Sequence, residues 1–562
     1  MNLVLTRLIG SFDKWKLSFA VFVVVYALFL LFGSFDMLDV AHMSIQWDEV
    51  NHLTGGALLL QGDFQQYLEL NCFYPPVFDL FTACFFGIGG VSVFSGRLVS
   101  VVFSILSLFA VFEFVYRLYG PKTAFLSSII LSAMPGYVLL SRMAMIETTL
   151  VFFFTVSVMF FLFWLKKQKN KFLVLSIIFF MIGIFTKYQT IIVVAIVIVS
   201  LVILGRSHIK RVLFSSRLVI AIIAVAIPLI LTIYWLYSSG MLNQWLYALN
   251  IGNPDKSIYS TGIIRFGLWF DSLPSWLQTP LFYLIETTQP YSSTYSPTQI
   301  LPHPITLPIY ILGLVGLCCL SLRRKLEDKY LIIWFFVVYV FFTFIPNREW
   351  RYVIPFFPVL AISAANLVTS AVGKAQKIWK TPRLGIGKKC LVQVIAGFLI
   401  IFTFVAIYDS YSNAYNWVVN TQIQVPLEDT TSYIASRLNP GENVMVLCAF
   451  NLISLDIVRF YLCNQQLVEA SVFQYPIEPV DTFPPNFDIT QLIDMCMEYN
   501  VKYLIVNEYG QNSTHPENSY HYYGTTTTFN DFNQTLMNSG RFTYESVYFW
   551  EEPARIFILT FT

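Results

Sequence analysis

Between Leu17 and Phe35 the chain reads LSFAVFVVVYALFLLFGSF, without one charged side chain. About 18 or more apolar residues in a row are enough to carry a helix across the hydrocarbon of a bilayer. After this first span, near 17–33, further spans are predicted near 96–116, 123–140, 148–165, 171–186, 188–204, 218–237, 305–322, 330–346, 351–372 and 391–408. No other feature constrains the fold as strongly, because in lipid each backbone donor and acceptor must be paired within its own segment or a closed barrel. Charge content agrees. Asp, Glu, Lys and Arg make up 12% of the chain, about half the share of a soluble protein. The expectation is a polytopic α-helical membrane protein with about 11–13 transmembrane helices. A net charge of +2 and the lack of a long charged block argue against a nucleic-acid partner. The first run lacks a small-residue cleavage pattern and reads as a retained helix, not a cleaved signal.

Lys and Arg gather in alternate loops: Arg7 to Lys16, Arg117 to Lys122, KKQKNK at 166–171, Arg206 to Arg217, RRKLEDK at 323–329 and Lys374 to Lys389. The positive-inside bias makes those loops cytoplasmic. Residues 76–91 would invert the scheme if they crossed the membrane. Their double proline, modest length and Gly-rich end favour an interfacial or re-entrant helix. An odd number of spans follows, with the N-terminus cytoplasmic and the C-terminus external or lumenal.

The membrane domain is predicted over 1–409, with external loops at 34–95 and 238–304. The second loop carries Trp245, Trp269 and Trp276 and is expected to hold short interfacial helices. From 410 to 562 the composition turns polar, and no further apolar run appears. NVMVLC at 443–448 and VKYLIVNEY at 501–509 read as buried strands, and 427–438 and 489–499 as amphipathic helices, giving an external α/β domain. Sequons at Asn512 and Asn533 agree with that placement. Cys318 and Cys319 read as small core residues. Cys448, Cys463 and Cys496 leave room for one disulfide if their domain lies outside.

Four polar clusters fall on the external side of this topology. Asp48 and Glu49 follow the first span, and Arg142 and Glu147 flank the start of another. Lys187 interrupts GIFTKYQTII, and Arg348, Glu349, Arg351 and Tyr352 precede a third span. Any one of them alone reads as a snorkelling anchor or a solvated loop charge. Lys187, with apolar sequence on both sides, is expected to face a cavity or a partner. Together they suit sugar transfer from a lipid phosphate. The leaving phosphate is a weak base and needs cations, not a strong acid. The acceptor hydroxyl needs one carboxylate to take its proton. Asp48 is the candidate base.

The order of WDE, YPPVFDLFTACFFGIGGVSVFSGRLVS, YRLYG, SRMAMIETTLVFF, GIFTKYQ and REWRYVIPFFPVLAI resembles the GT-C superfamily of membrane glycosyltransferases. It is similar to the family 39-like branch of protein O-mannosyltransferases and lipid A aminoarabinose transferases, over about residues 10–370. The resemblance implies a GT-C fold and a polyprenyl- or dolichyl-phosphate sugar as donor, dolichyl-phosphate mannose included. The acceptor would be a protein, glycan or lipid hydroxyl. It also implies inversion at the anomeric carbon, Asp48 as base with Glu49 beside it, and Glu147 at a second acidic position. Arg142, Lys187, Arg348 and Arg351 would hold the donor phosphate, with Tyr352 alongside. Two departures stand out. Tyr74 occupies the position before the proline pair where relatives often carry His or Lys, and a phenol supplies a hydrogen bond but no charge. No clear His/carboxylate set is present for a divalent metal, although His52 lies one helical turn from Asp48; no cofactor is expected. Three other readings fit less well, and the first, a structural membrane scaffold, leaves the clustered acids and cations unexplained. An oligosaccharyltransferase shares the architecture, but its WWD-type motif and first-loop DxD are absent. A flippase of lipid-linked sugars would be expected to show internal repeats, and none is visible.

Overall fold

The computed structural model describes residues 13–33, 45, 47–71, 74–205, isolated positions within 226–242, 274–288, 291–292, 300–301, 303–345, 349–381, 385–420, 425–447, 453–475, 489–507, 529–551 and 554–562. The first span is α1 (Lys14–Phe32), capped by the Asp13 carboxylate on the Trp15 N–H at 3.0 Å. Then come α2 (Trp47–Gln61), α3 (Phe64–Asn71), α4 (Val77–Gly89) and α5 (Val93–Tyr119). The chain continues through α6 (Pro121–Ala133), α7 (Pro135–Arg142), α8 (Ile146–Lys167), α9 (Asn170–Ile184) and α10 (Ile192–Leu204). After α11 (Ser275–Glu286) follow α12 (Leu307–Arg323), α13 (Leu326–Thr343), α14 (Phe357–Trp379) and α15 (Ile386–Asn420).

Most of the expected spans lie on apolar helices. Five, or six if a bent pair counts as one span, are long and apolar enough to cross a membrane by themselves, and four shorter apolar helices accompany them. The multi-pass helical class is therefore right. The segment 123–140 is a correction. It is no single helix but α6 and α7, bent by 69°. Pro135 at the start of α7 removes a backbone donor and sterically opposes continuation of the preceding turn, and Met134 is extended. Residues 218–237 lie largely outside the described residues. The 76–91 segment is the 13-residue α4, about 20 Å long and too short to span alone. In the 238–304 loop, α11 carries Trp276 exposed at its surface, whereas Trp245 and Trp269 lie outside the described residues.

Small residues let the helices that frame the site approach closely. A methyl group on Gly96 of α5 would come within 2.2 Å of Leu53 on α2, and one on Gly56 of α2 within 2.4 Å of Thr82 on α4. These contacts seat α2 between α4 and α5 by steric fit.

Helix α15 runs on to Asn420, so the expected boundary at 409/410 falls inside a continuous helix. Two short strands, β1 (Tyr291–Ser292) and β2 (Ile300–Leu301), pair in the loop before α12. The terminal part contains α16 (Leu427–Ala435), α17 (Leu455–Arg459), α18 (Ile489–Glu498) and α19 (Phe529–Asn538). Its strands are β3 (Asn443–Leu447), β4 (Val472–Tyr475), β5 (Val501–Asn507), β6 (Phe542–Glu551) and β7 (Ala554–Phe561). The five form one sheet in the order β4-β3-β5-β7-β6, parallel at β3–β4 and β3–β5 and antiparallel at β7. Along β3 the side chains alternate. Met445 and Leu447 pack with Leu492 of α18 and Leu536 of α19, while Val444 and Val446 face Ile434, Ile457 and Val458. The second of these cores continues without a break into Val50, Leu53 and Ala57 of α2 and Phe78 and Phe86 of α4. The terminal domain thus rests on the helix that carries Asp48. Cys463 and Cys496 are both free thiols, so neither forms the anticipated disulfide; Cys448 and Asn512 lie outside the described residues. Asn533 sits on α19.

Candidate active site

Asp48 and Glu49 open α2, where the helix dipole favours negative charge. Consecutive residues of a helix diverge by about 100°, and these two part company. Glu49 turns inward. Its carboxylate takes the Arg97 Nε and Nη2 donors at 2.6 and 2.7 Å and the Ala144 N–H at 2.7 Å, with no exposure. It joins α2, α5 and the α7–α8 connection. The catalytic place expected for Glu49 is therefore corrected to an internal clamp. Asp48 is about a third exposed, and its Oδ2 receives the Arg351 Nη1 donor at 2.5 Å.

Arg351 lies in the tight turn Trp350–Phe356 that leads into α14. The turn is anchored by the Trp350 N–H on Glu286 Oε1 at 2.8 Å. Arg351 also donates through Nε to Glu349. Lys187 follows the end of α9 and donates to Glu147 Oε1 at 2.8 Å. Its ammonium stands 5.6 Å from the centre of the Tyr352 ring. Glu147, in the first turn of α8, is buried, and its Oε2 has no partner among the described residues. Asp48 and Arg351 both lie within electrostatic reach of it. The Arg351 guanidinium holds the Asp48 carboxyl below the usual carboxylate range, against the upward pull of burial. Tyr74 stands half-buried before the proline pair. Burial, with the charge of Asp48 second, pushes its phenol up, so it remains neutral.

Side chains from α2, α8, the α9–α10 junction and the α13–α14 connection thus meet at one end of the helical body. The other end of α8, at Lys166, lies about 28 Å away, so the cluster sits at one end of this helix rather than at its middle.

Arg142 does not join the cluster in the expected way. It is fully buried at the end of α7, and Nη1 donates to the carbonyls of Leu30 at 2.6 Å and Phe29 at 3.4 Å, in the last turn of α1. The Leu30 carbonyl lies where a helix end leaves acceptors without intrahelical donors, while that of Phe29 also takes the Gly33 N–H at 3.0 Å; a cation there suits the dipole. Arg142 is accordingly a C-terminal cap for α1, not a phosphate ligand. Arg348 lies outside the described residues. His52, expected on the Asp48 face, donates or accepts at Nδ1 with Asp79 Oδ1 at 2.8 Å, while Asp79 Oδ2 receives the Tyr67 hydroxyl at 3.0 Å. Sequence reasoning passed over Arg97, Asp79 and Glu286. Each had a signal, an ionisable residue inside or beside apolar sequence, which calls for a buried partner.

Among the described residues no three His, Cys, Asp or Glu side chains converge as ligands. Asp48 is engaged by Arg351 and one oxygen of Glu147 by Lys187.

Comparison with known proteins bears on the fold. Residues 74–235 match the family model described as dolichyl-phosphate-mannose-protein mannosyltransferase. No curated protein sequence matches the chain. Among solved structures, ArnT from Cupriavidus metallidurans bound to undecaprenyl phosphate superposes with a TM-score of 0.59 at 14% identity, over 97% of this chain and 98% of that one. The same enzyme in the apo state gives 0.52 at 14% identity with the same coverage. The archaeal oligosaccharyltransferase AglB from Archaeoglobus fulgidus, in complex with an inhibitory peptide and a dolichol-phosphate, gives 0.52 at 12% identity, over 88% and 69%. The family model bears on residues 74–235 alone, and the matched structures show that this chain shares the GT-C fold.

Proposed function

We propose that the protein transfers a sugar from a polyprenyl- or dolichyl-phosphate donor to an acceptor hydroxyl, at the external or lumenal face and with inversion. The observation that carries this reading is the meeting of Asp48, Glu147, Lys187 and Arg351 at one end of the bundle. Two of the matched structures hold a polyprenyl-type phosphate, which supports a donor of that class. Mannose is the sugar suggested by the family description, and a protein, glycan or lipid hydroxyl is the acceptor class.

In this reading the acceptor O–H gives its proton to Asp48 as its oxygen attacks the anomeric carbon. The bond from that carbon to the phosphate oxygen breaks on the opposite face, and its electron pair leaves with the lipid phosphate. Arg351 and Lys187 stabilise the negative charge gathering on the phosphate. Glu147 orients Lys187 and offers Oε2 to a sugar hydroxyl. Tyr352 lies beside the Lys187 ammonium and Tyr74 supplies a neutral donor. Arg348 is retained as a candidate phosphate ligand from the sequence alone. No step requires a metal.

The test is transfer from a radiolabelled polyprenyl-phosphate sugar in membranes holding the full-length protein. Asp48→Asn is expected to abolish transfer while the protein still folds and still binds the lipid phosphate. Unchanged turnover in that variant would remove Asp48 from the mechanism.

A further inference from the structure

Arg351 serves more than one anion. Nη1 is on Asp48 at 2.5 Å, Nε is on Glu349, and Glu147 lies within electrostatic reach. The second cation, Lys187, is engaged by Glu147 at 2.8 Å. Among the described residues the cluster therefore brings three carboxylates (Asp48, Glu147 and Glu349) to two cations (Lys187 and Arg351). A lipid phosphate arriving there adds negative charge where, among the described residues, acids already outnumber cations.

We propose that Asp48 and the donor phosphate compete for the Arg351 guanidinium, so that binding the donor releases Asp48 to act as the base. The inference rests on the glycosyl-transfer reading. What it adds is an order of events, because the acceptor cannot be deprotonated efficiently until the donor is in place.

A carboxylate held by a guanidinium is a poor base, since the pair favours the charged form. Arg351 is the strongest influence on Asp48. His52 and Lys187 act in the same direction and burial opposes them. Glu147 and the phenols of Tyr74 and Tyr352 are the other titratable groups within reach, and Glu349 shares the same guanidinium. When phosphate draws off the charge of Arg351, the proton affinity of Asp48 rises at the step that needs it. The contact is built to yield. It is a single hydrogen bond between side chains that are 24% and 33% exposed. The neighbouring Glu49–Arg97 pair is forked and wholly buried. Linkage then works in both directions: if phosphate weakens the Asp48–Arg351 pair, that pair weakens phosphate binding by the same factor.

Full-length protein in detergent micelles, titrated with undecaprenyl phosphate, tests this through four forms: wild type, Asp48→Asn, Arg351→Gln and the double variant. Asp48→Asn is expected to bind about tenfold tighter than wild type, the order expected when a like charge is removed beside a partly exposed anion site. In the Arg351→Gln background the same change is expected to gain less than about twofold, because nothing remains to compete for. Equal or weaker binding by Asp48→Asn overturns the proposal. So does a gain of the same size in both backgrounds, which is plain repulsion without competition. If Arg351→Gln fails to accumulate, Arg351→Lys replaces it, keeping the charge but losing the fork; its gain must then fall below the wild-type gain. Failure of every form to bind the lipid would bring down the donor reading itself, whereas binding without the gain brings down the competition alone.

Discussion

The helical body is closed at both ends by ion pairs, and the two ends are built differently. Away from the candidate site, Arg323 at the end of α12 places Nε and Nη2 on the two oxygens of Asp328 at 2.9 and 2.7 Å. Its Nη1 reaches Asn366 Oδ1 at 2.7 Å and Ser370 Oγ at 3.2 Å, and the Tyr119 hydroxyl adds a bond to Asp328 at 2.9 Å. Asp328 is wholly buried. That network is saturated. At the site end, Arg351 is divided between Asp48 and Glu349, acids outnumber cations among the described residues, and a Glu147 oxygen lacks a partner there. A saturated buried network fixes one arrangement of helices. One in which a cation is shared among several acids can be rearranged by an anion that competes for that cation.

The sharpest way to break this comparison is to exchange the effects. Asp48→Asn is expected to lower turnover by about 10²–10⁴-fold, the usual range for a general base, with the thermal unfolding midpoint close to wild type. Asp328→Asn is expected to do the reverse. It removes the charge that holds Arg323 and costs about 3 kcal/mol of stability, leaving turnover per folded molecule within about twofold. Parallel transfer assays and thermal melts decide it. If Asp328→Asn were as inactive as Asp48→Asn while equally stable, saturation would not separate structure from function here.

Glu49 sharpens the comparison within a single turn of helix. It sits at the site end but is saturated like the far end. Glu49→Ala leaves Arg97 buried without its counter-ion, which costs about 3–5 kcal/mol, so the protein should accumulate poorly. A well-folded, soluble-in-detergent Glu49→Ala protein with no transfer activity would return Glu49 to the catalytic machinery.

A gentler probe is pH. In the proposed reaction Asp48 acts as a base in its ionised form, so transfer should be retained above its pKa and lost as pH falls through it. Arg351 holds that pKa down, and the acid limb of kcat/KM should lie well into the acid range. Arg351→Gln removes the largest downward influence, so the limb should move toward neutral pH. A limb that stays in place would mean that another group sets it.

These contrasts also explain what the sequence could and could not disclose. Apolar runs report burial in lipid directly, so the helical membrane class was legible, as was the short helix at 76–91. Lys187 and Asp48 were legible because charge amid apolar sequence is conspicuous. The partner that a buried charge chooses is a tertiary matter. Arg142 and Glu49 look like site residues in the chain, yet one caps α1 and the other holds Arg97. Arg97 stood in the quoted SGRLVS and Asp79 in YPPVFDLF, without a local feature to say that they meet Glu49 and His52. The bend between α6 and α7 was missed for a different reason: hydropathy continues across Pro135 although the helix does not.

The smallest effect belongs to a pair that is present at the far end but outside its saturated network. Lys166, near the end of α8, reaches Glu327 at 3.3 Å, and its side chain is 39% exposed. A pair of this kind gains little, because water already solvates the ammonium and the long side chain loses freedom in making the contact. Lys166→Ala should therefore shift stability by no more than about 0.5 kcal/mol and leave both turnover and lipid-phosphate affinity unchanged. Thermal melts beside Asp328→Asn make the measurement. A loss comparable to that of Asp328→Asn would show that proximity alone, and not the number of satisfied donors and acceptors, decides what an ion pair contributes in this protein.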